Sequence, residues 1–423
     1  MGRMASLEYV DFKPWREVVA DGEIGWEQDK LAKEIHRLPQ IFWSSGEGWA
    51  EANHWALEKI TSHGIHLDTA KGLMKHLQAY ACYLEEHDLD WRHFPARLSE
   101  RAVVRFRGDL LQQIERGSLA SSTARSRMNA VVQFYRHAAA HDFVSSSTPM
   151  WRDRTVVIRY FDAVGFKRSM TRISTDLAIP NRTIVGVRLE DGLVPLSDVH
   201  MAELLKFIAG EGTAELHLML TTGFFTGARL GTITTLRIEN LEQARPDPYM
   251  KGFYLVRVGP GTGVATKLNV EGDLLVPSML LSELKRYAYS TERLKREAKA
   301  SEGQRSIVFL TSRGNRYSNN SVARLMTGLR RSAVRANLRF MERFKFHQTR
   351  ATYGTWLMKL ALNVTTSAAA IAFVQAAMLH KHESTTFRYV RFLESTKGKQ
   401  EAAQAFHEAF TGLRKRSWDT VSA

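Results

Sequence analysis

The chain has 423 residues, with 44% hydrophobic and 24% charged side chains, which excludes bulk disorder and gives ample material for a core without disulfide or metal staples. A single cysteine, Cys82, rules out an internal disulfide and any Cys-rich zinc site, and no apolar run is long enough to span a membrane. Lys and Arg exceed Asp and Glu by 15, but residues 1–60 hold 7 basic against 11 acidic side chains, so the basic excess lies wholly downstream and points to a polyanionic partner, nucleic acid first.

Residues 1–65 are acidic and carry Trp15, Trp26, Trp43, Trp49 and Trp55. They read as a small helical cap or arm of unknown role, without the apolar stretch of a signal peptide. Residues 66–150 read as a helical domain. Leu73, Leu77, Tyr80 and Leu84 recur at steps of three and four, the mark of one buried helix face. A second helix follows, with Ser121 or Ser122 as its N-cap and Met128, Val131, Val132, Tyr135 and Ala138 as its apolar stripe. Thr123, Arg125 and Arg127 stand near its start. No acidic residue occurs across 118–141, so this face suits phosphate contact better than a plain solvated surface.

Residues 151–194, with 8 basic and 5 acidic side chains, form a basic linker or small β insertion; short β-like runs occur at 155–158 and 183–187. Residues 195–400 read as one larger domain. Ser197 opens a helix at 199–208, and a second runs over 215–226. Two β runs at 253–258 and 273–276 flank a turn region with Gly259, Gly261 and Gly263, spaced as a hairpin rather than a phosphate cradle. A basic helix over 320–337 places Arg324, Arg331 and Arg335 opposite its apolar side, a second surface for the DNA backbone. Residues 401–423 read as a C-terminal helix and tail; the apolar face at 402–410 needs a groove in its own domain or in a neighbouring copy.

Four segments carry the chemistry. Arg229 follows Thr226-Gly227-Ala228 at the end of a helix. Lys267 lies between the two β runs and is the only lysine between Lys251 and Lys285. His347 and Arg350, three apart, share a helix face, so the imidazole and guanidinium can address one site. His380 and Tyr389 are nine apart, which on a single helix would turn about 900° and set them on opposite sides; a break between them, with Ser384 or Thr385 capping the next helix, lets both face the same place. His380 with His382 could suggest a metal pair, but no second cluster with ligand spacing supports it, so no metal and no cofactor is expected. Two arginines, a lysine, two histidines and a tyrosine fit one reaction. A tyrosine oxygen attacks a DNA phosphodiester, guanidiniums hold the non-bridging oxygens, and histidines and lysine serve the leaving oxygen.

These segments resemble the tyrosine recombinases, or phage integrase family. TGARLGTITTL is similar to the family's first arginine box, HQTR matches its HxxR box, and LHKHESTTFRY resembles its LGH-(x)8-Y box. Thr266-Lys267 with Val276-Pro277 resembles its β-hairpin lysine and the strand after it. LEEHDLD and STARSRMNAVVQFYRHAAAHDF resemble its helical core-binding domain. The sequence departs from the pattern at Thr232, where the family often has an acid, and at Leu379, where it usually has glycine. An Ala-rich stretch at 367–377 also lengthens the path from Arg350 to His380.

The resemblance implies roles: Arg229 and Arg350 clamp the phosphate, Lys267 is the general acid, His347 and His380 assist, and Tyr389 is the nucleophile. It implies a mainly α fold with a small β-sheet (α+β), arranged as a two-domain C-shaped DNA clamp of a helical core-binding domain and a catalytic domain. The expected function is site-specific integration or excision of a mobile element, metal-independent, through a 3′-phosphotyrosine. The implied partners are double-stranded DNA, a homotetramer on two DNA sites and helper proteins, with no membrane; the expected location is the cytoplasm, at a bacterial or phage-related nucleoid. A type IB topoisomerase and a catalytically silent DNA-binding regulator are the alternatives, and a cleavage assay separates them.

Overall fold

In this computed structural model, which describes residues 4–20, 23–145, 149–161, 167–180, 189 and 192–409, the chain divides into two compact units. One comprises residues 1–160 with 167–184, the other residues 161–166 with 185–423.

The first unit opens on strands, not on the expected helical cap. β1 (Ser6–Phe12) pairs antiparallel with β4 (Ile35–Phe42), and β2 (Trp15–Ala20) forms a hairpin with β3 (Glu23–Gln28). The physical reason is a period of two. Trp15, Glu17 and Val19 fall on one side of β2, opposite Gln28, Trp26 and Ile24, and these apolar side chains stay exposed, so no buried stripe of helical spacing exists to be read. Among the described residues of this stretch, the one helix is α1 (Ala50–Thr61), which buries Trp55. Trp49, just before it, packs against Trp43, Trp91 and Phe134.

α2 (Leu67–Glu86) buries Met74, Leu77, Tyr80 and Leu84 along one face. α3 (Ala102–Glu115) and α4 (Ser121–Ala140) complete the core, where Tyr80 and Tyr135 share a 2.8 Å hydroxyl bond and Tyr135 reaches the Trp91 carbonyl at 2.7 Å. The N-cap of α4 is Ala120, not Ser121 or Ser122; those two already lie within the first turn, and Ser126 bonds back to the Ser122 carbonyl. Cys82 on α2 is half-buried, its thiol donating to the Ala5 carbonyl at 3.3 Å beside a 2.8 Å bond from Gln78 to the same oxygen. β5 (Asp153–Phe161) and β6 (Lys167–Thr175) form a two-stranded sheet; the β-like run at 183–187 lies outside the described residues.

In the second unit, α5 (Asp198–Glu211) starts at Ser197, whose hydroxyl accepts the His200 amide at 3.2 Å. α6 (Ala214–Thr226) is rich in apolar residues and buries most of its surface, leaving one face, with Ala214 and Phe225, exposed. Its one acid, Glu215, is 3% exposed and is neutralised by Arg296 at 2.8 Å and by a 3.0 Å bond from Tyr287. After α7 (Leu230–Thr235) and α8 (Ile238–Glu242), the two-residue β7 (Arg245–Pro246) joins β8 (Phe253–Val258) and β9 (Gly272–Pro277) in an antiparallel sheet of order β7-β8-β9. Gly259, Gly261 and Gly263 all have positive φ in the β8–β9 connection, as a hairpin turn requires.

α9 (Ser278–Ala288) and α10 (Thr291–Glu297) lead to the basic α11 (Asn319–Arg335), which buries Val322, Met326, Leu329 and Ala333. α12 (Gln348–Val364), α13 (Ser367–Ala377) and α14 (Glu383–Ala409) share a separate apolar cluster. The expected short tail helix is the end of α14 rather than a separate element; the side chains of 402–409, and residue 410, lie outside the described residues. Among the described residues no helix is long and apolar enough to cross a membrane.

Candidate active site

The site is built on close approaches of backbone. α6 ends at Gly227 (φ 64°), whose left-handed conformation terminates the helix and turns the chain toward Arg229. A side chain there would press into the Tyr353 ring. One turn earlier, a Cβ on Gly223 would meet Thr349 Oγ1 at 2.5 Å, so glycine lets α6 and α12 pack backbone to side chain. Arg350 uses that proximity: its guanidinium donates to the Gly227 carbonyl at 2.6 Å and to the Met378 carbonyl at 2.8 Å. It is 2% exposed and held in place by the ends of α6 and α13.

The break expected between His380 and Tyr389 is present. α13 ends at Ala377, Leu379 takes a left-handed backbone (φ 50°), and α14 begins at Glu383, before either Ser384 or Thr385 can cap it. Leucine in that conformation costs about 1–2 kcal/mol relative to glycine; its side chain offsets this by packing onto the domain core, hard against Gly272 of β9. His380 is 5% exposed, its Nδ1 lying 2.8 Å from Thr386 Oγ1, which fixes the ring.

Arg229, Lys267 and His380 line one cavity of about 220 Å³, together with Leu268, Leu379, Lys381, His382, Thr385 and Arg388. Four of these residues are cationic, two are histidines and none is acidic, so the cavity is built for an anion. Lys267 enters from a 3-10 turn at Lys267–Asn269, in which Leu268 and Asn269 have positive φ.

Tyr389 and His347 do not line this cavity. The Tyr389 ring lies 6.0 Å from that of His380, nearly parallel to it, but the residue is fully buried. It fills a notch over Gly354 of α12, where a Cβ would meet Tyr389 Cε1 at 2.5 Å and Met378 Sδ at 2.6 Å. His347 is half-buried at the N-cap position of α12 with helical angles (φ −65°, ψ −15°), so the three-residue step to Arg350 is kept. Tyr353 is buried under Gly227, and burial pushes its phenol well above the ordinary value.

Sequence reasoning missed Arg388, although its place beside Tyr389 was a signal, and Thr386, whose hydroxyl holds His380. The acid expected at 232 is replaced by a buried threonine within α7. The residues expected to bind DNA fall in two places. Thr123, Arg125 and Arg127 lie on the first two turns of α4, Arg125 exposed, and Arg125 lines a groove of about 600 Å³ with Asn129, Gln133 and Arg136. Arg324, Arg331 and Arg335 are exposed on α11, and none forms an ion pair with another described residue.

Residues 196–396 match the sequence profile of the phage integrase family. No curated protein matches the chain. Among solved structures, the Tn1549 transposon integrase bound to circular-intermediate DNA is 14% identical, with a TM-score of 0.47 over 80% of this chain and 94% of that one. A lambda integrase dimer bound to a COC′ core site gives the same identity, TM-score and coverage. A lambda integrase tetramer on a Holliday junction is 12% identical, with a TM-score of 0.46 over 80% of this chain and 76% of the other.

Proposed function

We propose that the chain is a tyrosine recombinase of the phage integrase family, whose profile matches residues 196–396, and that it breaks and rejoins double-stranded DNA at specific sites through a covalent 3′-phosphotyrosine, integrating or excising a mobile element. The observation that carries this reading is the cationic, acid-free cavity lined by Arg229, Lys267 and His380 beside the Tyr389 ring. In the proposed reaction the Tyr389 oxygen attacks the phosphorus as its phenolic proton passes to a site histidine. The bond to the 5′-oxygen breaks, and Lys267 gives that oxygen a proton. Arg229 and Arg350 hold the non-bridging oxygens, whose charge is greatest in the transition state, while His347 and His380 hydrogen-bond the same phosphate. The phosphotyrosine keeps the bond energy, so a 5′-hydroxyl reverses the step without nucleotide or metal.

Tyr389 is buried, so attack requires the start of α14 to shift out of the Gly354 notch. Exchange between two duplexes cuts four strands with one tyrosine each, which supports a homotetramer on two DNA sites. We assign Thr123, Arg125, Arg127, Arg324, Arg331 and Arg335 to the DNA backbone, and place residues 66–150 and 195–400 as the two arms of a clamp around the duplex.

The test is a suicide substrate, nicked so that the fragment carrying the leaving 5′-hydroxyl diffuses away. After denaturation, a labelled strand should migrate with the protein and be released by protease. Free DNA alone, across a range of substrates carrying the element's ends, would overturn the reading. Relaxation of a supercoiled plasmid without joining of two sites would make the enzyme a topoisomerase instead.

A further inference from the structure

Outside the catalytic unit, the first unit gathers His54, Glu58, His137 and His141, with one ligand-type atom from each lying within 4.8 Å of all the others. It is the one such group of three or more among the described residues. We propose that these four side chains bind a single zinc ion that fastens α1 to the C-terminal end of α4.

The arrangement follows from helix geometry. His54 and Glu58 are four apart on α1, and His137 and His141 are four apart at the end of α4, so each pair lies on one face of its helix. Packing the two faces together converges three imidazoles and a carboxylate. His54 Nδ1 is 3.2 Å from His137 Nε2, His137 Nδ1 is 2.8 Å from Glu58 Oε2, and His141 Nε2 is 3.3 Å from the same oxygen. Zinc bonds of ~2.0–2.1 Å in a tetrahedron set neighbouring donors about 3.3 Å apart; only one nitrogen of His137 can bind the ion, so seating it requires the side chains to rotate until one donor from each residue, already within 4.8 Å of the others, closes to that spacing.

Three further features favour a cation of this kind. The donor set, three nitrogens and one oxygen, suits zinc among the divalent metals. α4 reaches the cluster with its last turn, His137, and its C-cap, His141, where the backbone presents partial negative charge. Phe143 packs edge-on to His54 at 5.6 Å and stacked on His141 at 5.6 Å, walling one side against water, while His54 and His141 remain exposed and leave an entry path. The two pairs are 83 residues apart in sequence, as His54 and His137 show, which is why spacing alone does not reveal them.

The test uses the full-length, tag-free protein, stripped with chelator and titrated with zinc against a chromophoric competitor. One zinc per chain should bind, the melting midpoint should rise with zinc by mass action, and cobalt in its place should show the visible absorption of a tetrahedral site. In a His54→Ala/His141→Ala variant, both changes at exposed positions, zinc affinity should fall about 100-fold or more. The variant's metal-free melting midpoint should match that of metal-free wild type, which separates loss of the site from loss of the fold. No stoichiometric binding, or binding that the variant keeps, would overturn the proposal. Catalysis by the second unit is not the readout, so this result stands apart from that of the suicide substrate.

Discussion

Tyr389 and Arg350 place opposite demands on a substitution. Tyr389→Phe removes one oxygen and leaves the ring in the Gly354 notch, so the fold and DNA affinity should be kept while the protease-sensitive covalent band disappears entirely. A band that persists in the Phe variant would assign the nucleophile elsewhere. Tyr353 is a poor substitute, since it is buried under the Gly227 turn and held protonated. Arg350→Ala, by contrast, should not be a clean lesion. Loss of one transition-state donor costs about 10²–10³ in rate. Its two bonds to the Gly227 and Met378 carbonyls also hold the ends of α6 and α13, and each charged bond is worth about 1.5–3 kcal/mol. Cleavage rate and urea denaturation should therefore both drop. Cleavage lost with unchanged denaturation would show that the carbonyl contacts carry no stability. Arg350→Lys keeps the charge without the planar fork and should rescue neither property fully.

Among the elements, α12 and α6 are the most constrained. Gly354→Ala places a methyl against Tyr389 and Met378, and overpacking of this kind costs about 1–3 kcal/mol. The cheapest relief is to displace Tyr389, so the variant should lose stability while its covalent-complex formation is kept or raised; equal loss of both would mean that α14 cannot move alone. Glu215→Ala strips the acid from Arg296 and Tyr287 inside the second unit, and breaking such a buried pair should cost about 3 kcal/mol in chemical denaturation. Helices of this chain were legible wherever one side alone is buried. Leu77, Tyr80 and Leu84 on α2 and Val322, Met326 and Leu329 on α11 show the period plainly. The strands at the start were not legible, because Trp15, Val19, Ile24 and Trp26 are apolar yet exposed, and composition there says nothing about burial. Short motifs picked out Arg229, Lys267 and His380, which line one cavity. The state of the site was not legible in them: the withdrawal of Tyr389 and the seat of Arg350 depend on contacts such as Arg350 to Gly227, 123 residues apart.

Across the whole molecule, a net charge of +15 with an acidic first segment predicts binding governed by counterion release. Affinity for duplex DNA should fall linearly on a log–log plot against salt. Removing Arg324, Arg331 and Arg335 together should flatten the slope by about 1 per arginine, uniformly across DNA sequences. A slope unchanged in the triple variant would take α11 off the DNA path. The lone cysteine offers a different handle on the full chain. The Cys82 thiol is pinned to the Ala5 carbonyl, and burial raises its pKa, so it should react slowly with a thiol-specific dye in the native protein. Labelling becomes fast only when the segment leading into β1 peels from α2. With no second thiol to confuse the signal, the rate of dye uptake is a clock for the opening of the amino-terminal hairpins, readable in the unaltered protein with and without DNA.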